Sequence, residues 1–138
     1  MITNKFILMN KYIADSMAFI LRLENRKMPL YAKKKFEMAE KGQAEIVVPA
    51  MVFAELAYLS ERNKIDTNLN EAKKYLDKYT LINEYPLTYK TVTFAFSIDD
   101  IPELHDRLIA AVGKELDAEV ITNDPVIEHS RHVKTIWK

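Results

Sequence analysis

The chain has 138 residues, 49% apolar and 29% charged, which suits one globular domain with a real core and excludes a disordered tail. Its 20 basic and 20 acidic residues cancel to a formal charge of zero, so any nucleic-acid surface must be a local patch. Cysteine is absent, which excludes a disulfide frame and a thiolate metal site.

In chain order, residues 1–10 are expected to form an extension ahead of a single domain over 11–138. The apolar run Phe6–Met9 is too short for a secretion signal or a membrane span, so a cytoplasmic protein with no membrane contact is expected. Tyr12–Asp15 reads as a buried strand, and Ser16 as the cap of a helix running to Leu23. Pro29 opens a second helix that Gly42 ends. Glu45–Val48 is a strand, and Pro49 starts a third helix. Asp66 or Thr67 begins a fourth, with Leu69, Ala72, Leu76 and Tyr79 on one face. Leu81-Ile82 reads as a short strand. Helices follow from Pro86 or Thr88 to Phe96 and from Pro102 to Leu116, then strands over Glu119–Thr122 and Val133–Trp137. Strands separated by helices predict a parallel sheet covered on both faces. In such sheets the binding site lies beyond the carboxyl ends of the strands.

Four acids stand out against this frame. Asp15 ends the first strand and Asp124 the fourth. Both also read as helix caps, since Ser16 follows the first and Pro125 the second. Glu55 interrupts the uncharged stretch Ala50–Leu59. A buried lone Glu needs a partner, either a cation or a basic side chain. Asp106 shares a helical face with Ala110 and Gly113, whose small size would leave room for a ligand. Two carboxylates about 4 Å apart repel by about 4 kcal/mol at an effective dielectric near 20, and a divalent ion with oxygen ligands is the usual remedy. His105, His129 and His132 do not form a convincing zinc spacing.

At these residues the chain resembles the PIN domain, and within it the VapC-type toxins of toxin–antitoxin pairs. The likeness is carried by Tyr12-Ile13-Ala14-Asp15-Ser16, by Val48 to Leu56, by Leu104-His105-Asp106-Arg107-Leu108-Ile109-Ala110-Ala111, by Val120-Ile121-Thr122-Asn123-Asp124, and by the ending Val133–Trp137. The resemblance implies a three-layer α/β sandwich, with a central parallel sheet of four to five short strands and helices on both faces. It implies a metal-dependent endoribonuclease that uses Asp15, Glu55, Asp106 and Asp124. Asp15, Asp106 and Asp124 would hold one or two Mg²⁺ or Mn²⁺ ions, with Ser16 and Thr122 in support. Asp117 is the alternative to Asp124 as the outer acid. RNA, a VapB-like antitoxin over the acid site, and a homodimer are the implied partners.

Arg22, Arg26, Lys27 and the run Lys33–Lys35 are candidates for RNA phosphates, although such runs also read as solvated faces. Met17, Phe19, Ile20, Tyr31 and Phe36 would suit a partner surface, or equally the core. Other functional readings are a non-catalytic PIN-like interaction module and a PIN nuclease outside any toxin–antitoxin pair. A haloacid-dehalogenase-like phosphatase would carry a second Asp two positions after the first, where this chain has Met17.

Overall fold

In the computed structural model, which describes residues 9–138, twelve elements alternate much as the punctuation by proline and glycine predicts. They are β1 (Lys11–Ala14), α1 (Ser16–Leu23), α2 (Leu30–Glu40), β2 (Glu45–Pro49), α3 (Ala50–Glu61), α4 (Leu69–Lys78), β3 (Ile82–Tyr85), α5 (Tyr89–Ala95), α6 (Leu104–Leu116), β4 (Glu119–Ile121), α7 (Pro125–Glu128) and β5 (Thr135–Ile136). The expected extension falls mostly outside the described residues; only Met9 and Asn10 of it precede β1.

The strands form one parallel sheet in the order β3-β2-β1-β4-β5. β1 is central, pairing Ile13 with Val47 on one side and with Val120 on the other. Buried on both faces, it is uniformly apolar from Tyr12 to Ala14. The main core gathers Phe19, Ile20, Phe36, Val52 and Leu56 over the sheet. A smaller core joins α5, α6 and α7 through Ala95, Ile98, Leu108 and Ile127. Each such large side chain contributes about 1.5–3 kcal/mol on burial. This is the three-layer α/β arrangement that the alternation of elements predicts.

Local chemistry sets the element ends. Asn68 caps α4 one or two residues inside the expected start, and Thr88, one of the two expected starts, caps α5. Gly42 takes φ 77° just past α2, as a residue at that turn must. Of the two readings open for the early helices, Phe19, Ile20 and Phe36 take the core, wholly buried, whereas Met17 and Tyr31 are exposed. One expectation is corrected. Gly113 leaves no room for a ligand: a Cβ there would lie 2.7 Å from Val120 Cγ2, so its small size lets α6 lie on β4. Ala110 is likewise consumed by packing in the smaller core. Among the described residues no helix is long and apolar enough to cross a membrane.

Candidate active site

Three helices start beside the carboxyl ends of β1, β4 and the turn before α6, and each brings an acid. Asp15 is the N-cap of α1, its Oδ1 accepting the Ala18 N–H at 2.8 Å. Asp124 is the N-cap of α7, its Oδ1 accepting from Val126 N at 2.8 Å and Ile127 N at 3.3 Å. Asp106 stands in the first turn of α6, where Glu103 caps the helix by accepting the Asp106 N–H at 2.8 Å. The cap reading of Asp15 and Asp124 therefore holds, and capping leaves both carboxyls on the lining of one hollow. Glu55 reaches in from the middle of α3, and Ser16 Oγ donates to its Oε1 at 2.6 Å. Glu55 makes no ion pair among the described residues, so the salt-bridge account of this residue falls. Nor is it wrapped in a buried helix: only Val52 and Leu56 of α3 are buried.

These four acids, with Ser16 and Met17, line one hollow of about 440 Å³, and no lysine or arginine lines it. Thr122 sits beneath, its Oγ1 accepting the Asp124 N–H at 3.0 Å. Burial, and then the nearby Asp124 and Glu55 charges, raise Asp15 to about 6 against the Thr122 and Ala18 hydrogen bonds that lower it. Asp106 is also raised to about 6, by burial first and then by Asp124, Glu103 and Glu55, with His105 opposing. The charge of this hollow is thus only partly offset by the chain itself.

Asp117 lies elsewhere. It caps the C-terminus of α6 with φ 50°, eleven residues from Asp106 and so about 16 Å away along the helix. It lines a separate groove at the opposite end of the sheet, and Asp124 is the acid that joins the hollow. Arg22 is also distant, in the last turn of α1. Its guanidinium donates to both Glu40 oxygens, at 2.6 and 2.8 Å, and Tyr75 donates to the same carboxylate. This bridge between α1, α2 and α4 leaves Arg22 no free fork for a phosphate, contrary to the sequence expectation. Arg107 is equally occupied, donating to the Ile101 carbonyl at 2.7 Å.

A second acidic group escaped the sequence reading because its members meet only in the fold. The ligand atoms of Asp99, Asp100 and His132 lie within 4.8 Å of one another, closer than the acids of the hollow are gathered. Here the chain supplies the countercharge. Arg131 donates to both Asp99 oxygens, His132 Nε2 lies 2.8 Å from Asp99, and Lys114 Nζ lies 3.2 Å from His132 Nδ1. Asp100 accepts from Ser130 and from the Arg131 N–H. Sequence reasoning also missed Glu103; an acid three residues before Asp106, at the head of an apolar helix, was the available signal.

An α/β sheet with acids converging at its carboxyl end defines a class of proteins with a carboxylate centre. Residues 12–132 match the family model of the PIN domain, and the chain belongs to that family. No curated protein sequence matches it significantly. Among solved structures it is similar to VapBC2 from Rickettsia felis bound to a promoter DNA fragment. That pair has a TM-score of 0.71 and 18% identity, covering 93% of this chain and 99% of the other. It is also similar to DNA-bound VapBC from Salmonella typhimurium, with TM-score 0.68, 15% identity, and 93% and 98% of the two chains covered. A toxin–antitoxin complex from Klebsiella pneumoniae aligns with TM-score 0.58 and 11% identity over 86% and 90%. At these identities the likeness is one of fold.

Proposed function

We propose that residues 11–138 act as one nuclease domain, a metal-dependent endoribonuclease and the toxin of a type II toxin–antitoxin pair. The observation that carries this reading is the hollow itself: four carboxylates from four elements, lined by no basic side chain. A donor set of oxygens alone, without thiolate or imidazole, fits Mg²⁺ or Mn²⁺, one ion or two. Such an ion, when bound, supplies a water of lowered pKa and positive charge at the scissile phosphate.

Asp15, Asp106 and Asp124 are the ligands in this reading. Asp124 commits one oxygen to a helix and keeps the other for the ion, whereas Asp15, held by the Ala18 N–H and by Thr122, would bind the ion through its remaining lone pairs. Glu55 orients the attacking water, and the 2.6 Å bond from Ser16 fixes its carboxylate for that task. Thr122 steadies Asp15 and the Asp124 backbone together. Arg26, which also donates to Glu24 at 3.2 Å, and Lys27 lie beyond the far end of α1 and would meet the strand only at phosphates remote from the hollow. The relatives of known structure include VapBC assemblies and a toxin–antitoxin complex, which supports an antitoxin as partner. Cytoplasmic location and a homodimer complete the proposal.

The test is cleavage of single-stranded RNA oligonucleotides with Mg²⁺ or Mn²⁺ by wild-type protein and Asp106→Asn. The variant is expected to lose at least about 100-fold in rate, more than loss of an outer-shell partner costs, with an unchanged circular dichroism spectrum. Equal activity of the folded variant removes Asp106 from the mechanism.

A further inference from the structure

Asn123 belongs to two cavities at once. It lines the acid hollow, and it also lines a groove of about 580 Å³ on the side of β4 and β5. The groove therefore meets the hollow at Asn123 and runs along the β4–β5 side of the sheet as far as Glu119 at the start of β4. Its aromatic residues are Tyr31, at the start of α2, and Trp137, just after β5. The two segments are tied together, because the Trp137 carbonyl accepts the Ala32 N–H at 3.2 Å. Trp137 packs partly against the main core, so its ring has a fixed base. Tyr31 is 50% exposed, and the Lys35 ammonium lies 4.5 Å from its ring centre.

Glu119, Glu128 and Lys138 supply the charge in the groove. With the Lys35 ammonium at the Tyr31 ring, two carboxylates meet two ammonium groups, so the groove has no excess of positive charge to hold a phosphate. It is a suitable seat for a nucleobase, which offers a flat face to aromatic rings and N–H groups to carboxylate and amide oxygens. The sequence expectation placed Tyr31 on a partner surface and Trp137 in a strand, and neither reading used the pair together.

We infer that Tyr31 and Trp137 form a stacking subsite for an unpaired base flanking the phosphate to be cut. The inference rests on the nuclease reading of the hollow and sharpens it: the substrate is single-stranded at that base. A paired base offers no free face to the rings, so a duplex cannot enter the groove in this way.

Trp137 is the only tryptophan of the chain and reports its own site. Asp106→Asn protein in Mg²⁺, which keeps the strand intact, is titrated with a labelled RNA oligonucleotide, single-stranded or duplex. Tryptophan emission and label anisotropy are read together. Single-stranded RNA is expected to quench the emission as anisotropy rises, and duplex RNA to leave the emission unchanged. In the active background, Tyr31→Leu is expected to lower kcat/KM on the single strand by roughly tenfold, within the range for losing one base–aromatic stack. Trp137→Phe, which keeps a flat ring against the core, should lose less than Trp137→Leu. Bound single strand with unmoved emission, or unchanged kcat/KM in both Tyr31→Leu and Trp137→Leu, overturns the subsite while leaving the nuclease reading standing. In that case the groove is a protein-facing surface. Wild-type protein that cuts no single-stranded RNA overturns both together.

Discussion

The molecule carries two acidic groups, and they differ in who neutralises them. At Asp99 and Asp100 the chain does so itself, with Arg131, His132, Ser130 and a backbone N–H. Both carboxyls are accordingly held below their ordinary range, Asp99 chiefly by the hydrogen bond from His132 and Asp100 chiefly by the Arg131 N–H. At the hollow the chain brings acids together and withholds lysine and arginine, so Asp15 and Asp106 move the other way, to about 6. Proximity of carboxylates thus does not by itself say where countercharge is missing. The more tightly gathered group is a structural clasp, and the looser one carries the missing charge.

Three experiments press on this contrast. The largest expected effect is cation binding. Mg²⁺ or Mn²⁺ at about 100 times its dissociation constant should stabilise the wild-type fold by about 2.7 kcal/mol. Asp99→Asn should respond to the same degree, and Asp106→Asn should respond far less. Thermal melts across a metal titration read this, and an equal loss of response in both variants would abolish the distinction.

The next effect is acid dependence in chelator. Asp15 and Asp106 in the folded protein keep protons up to about pH 6 that an ordinary aspartate releases near 3.8. Stability without metal therefore falls as pH rises through that window and is flat above it, by about 3 kcal/mol from Asp15 and less from the better-solvated Asp106. Asp99 and Asp100 have the opposite sign, with stability lost only as pH falls below 3.8. Melting temperatures from pH 4 to 8 should be highest at the acid side in chelator and level out with Mg²⁺. A flat chelator profile contradicts the crowding of the hollow.

The smallest effect is a pair of substitutions in chelator at pH 7. Asp106→Asn should melt a few degrees higher, worth about 1 kcal/mol after allowance for solvent screening. Asp99→Asn should melt slightly lower, since it strands Arg131 and His132. Two downward shifts would mean that the hollow is as well balanced as the clasp.

The fold was legible wherever single residues dictate backbone geometry. Pro29, Gly42, Pro49 and Pro125 fixed four element ends, and the apolar runs at 12–14 and 46–48 fixed the central strands. The four acids were legible because each sits at an element boundary or breaks an apolar run. What stayed hidden depends on side chains meeting across long sequence distances. The Arg22–Glu40 bridge, the clasp of Asp99 with His132, and the use of Gly113 by Val120 leave no periodic trace. The choice between Asp117 and Asp124 was open on a helical wheel, because a wheel discards the 16 Å between the two ends of α6. The final strand shrinks from five expected residues to Thr135–Ile136, since an edge position pairs on one side only.

The capping bonds of Asp15 and Asp124 also divide the routes by which this protein can be inactivated in a living population. Loss of either acid removes helix-holding bonds as well as a carboxylate of the hollow, so such alleles should give sparse, protease-prone chains. Glu55 and Asp106 accept no helix-capping N–H through their side chains, so their loss should leave abundant, well-folded protein, inactive if the proposed nuclease site is right. If the proposed toxin–antitoxin reading holds, only the second kind of allele can persist as a decoy that still occupies the antitoxin.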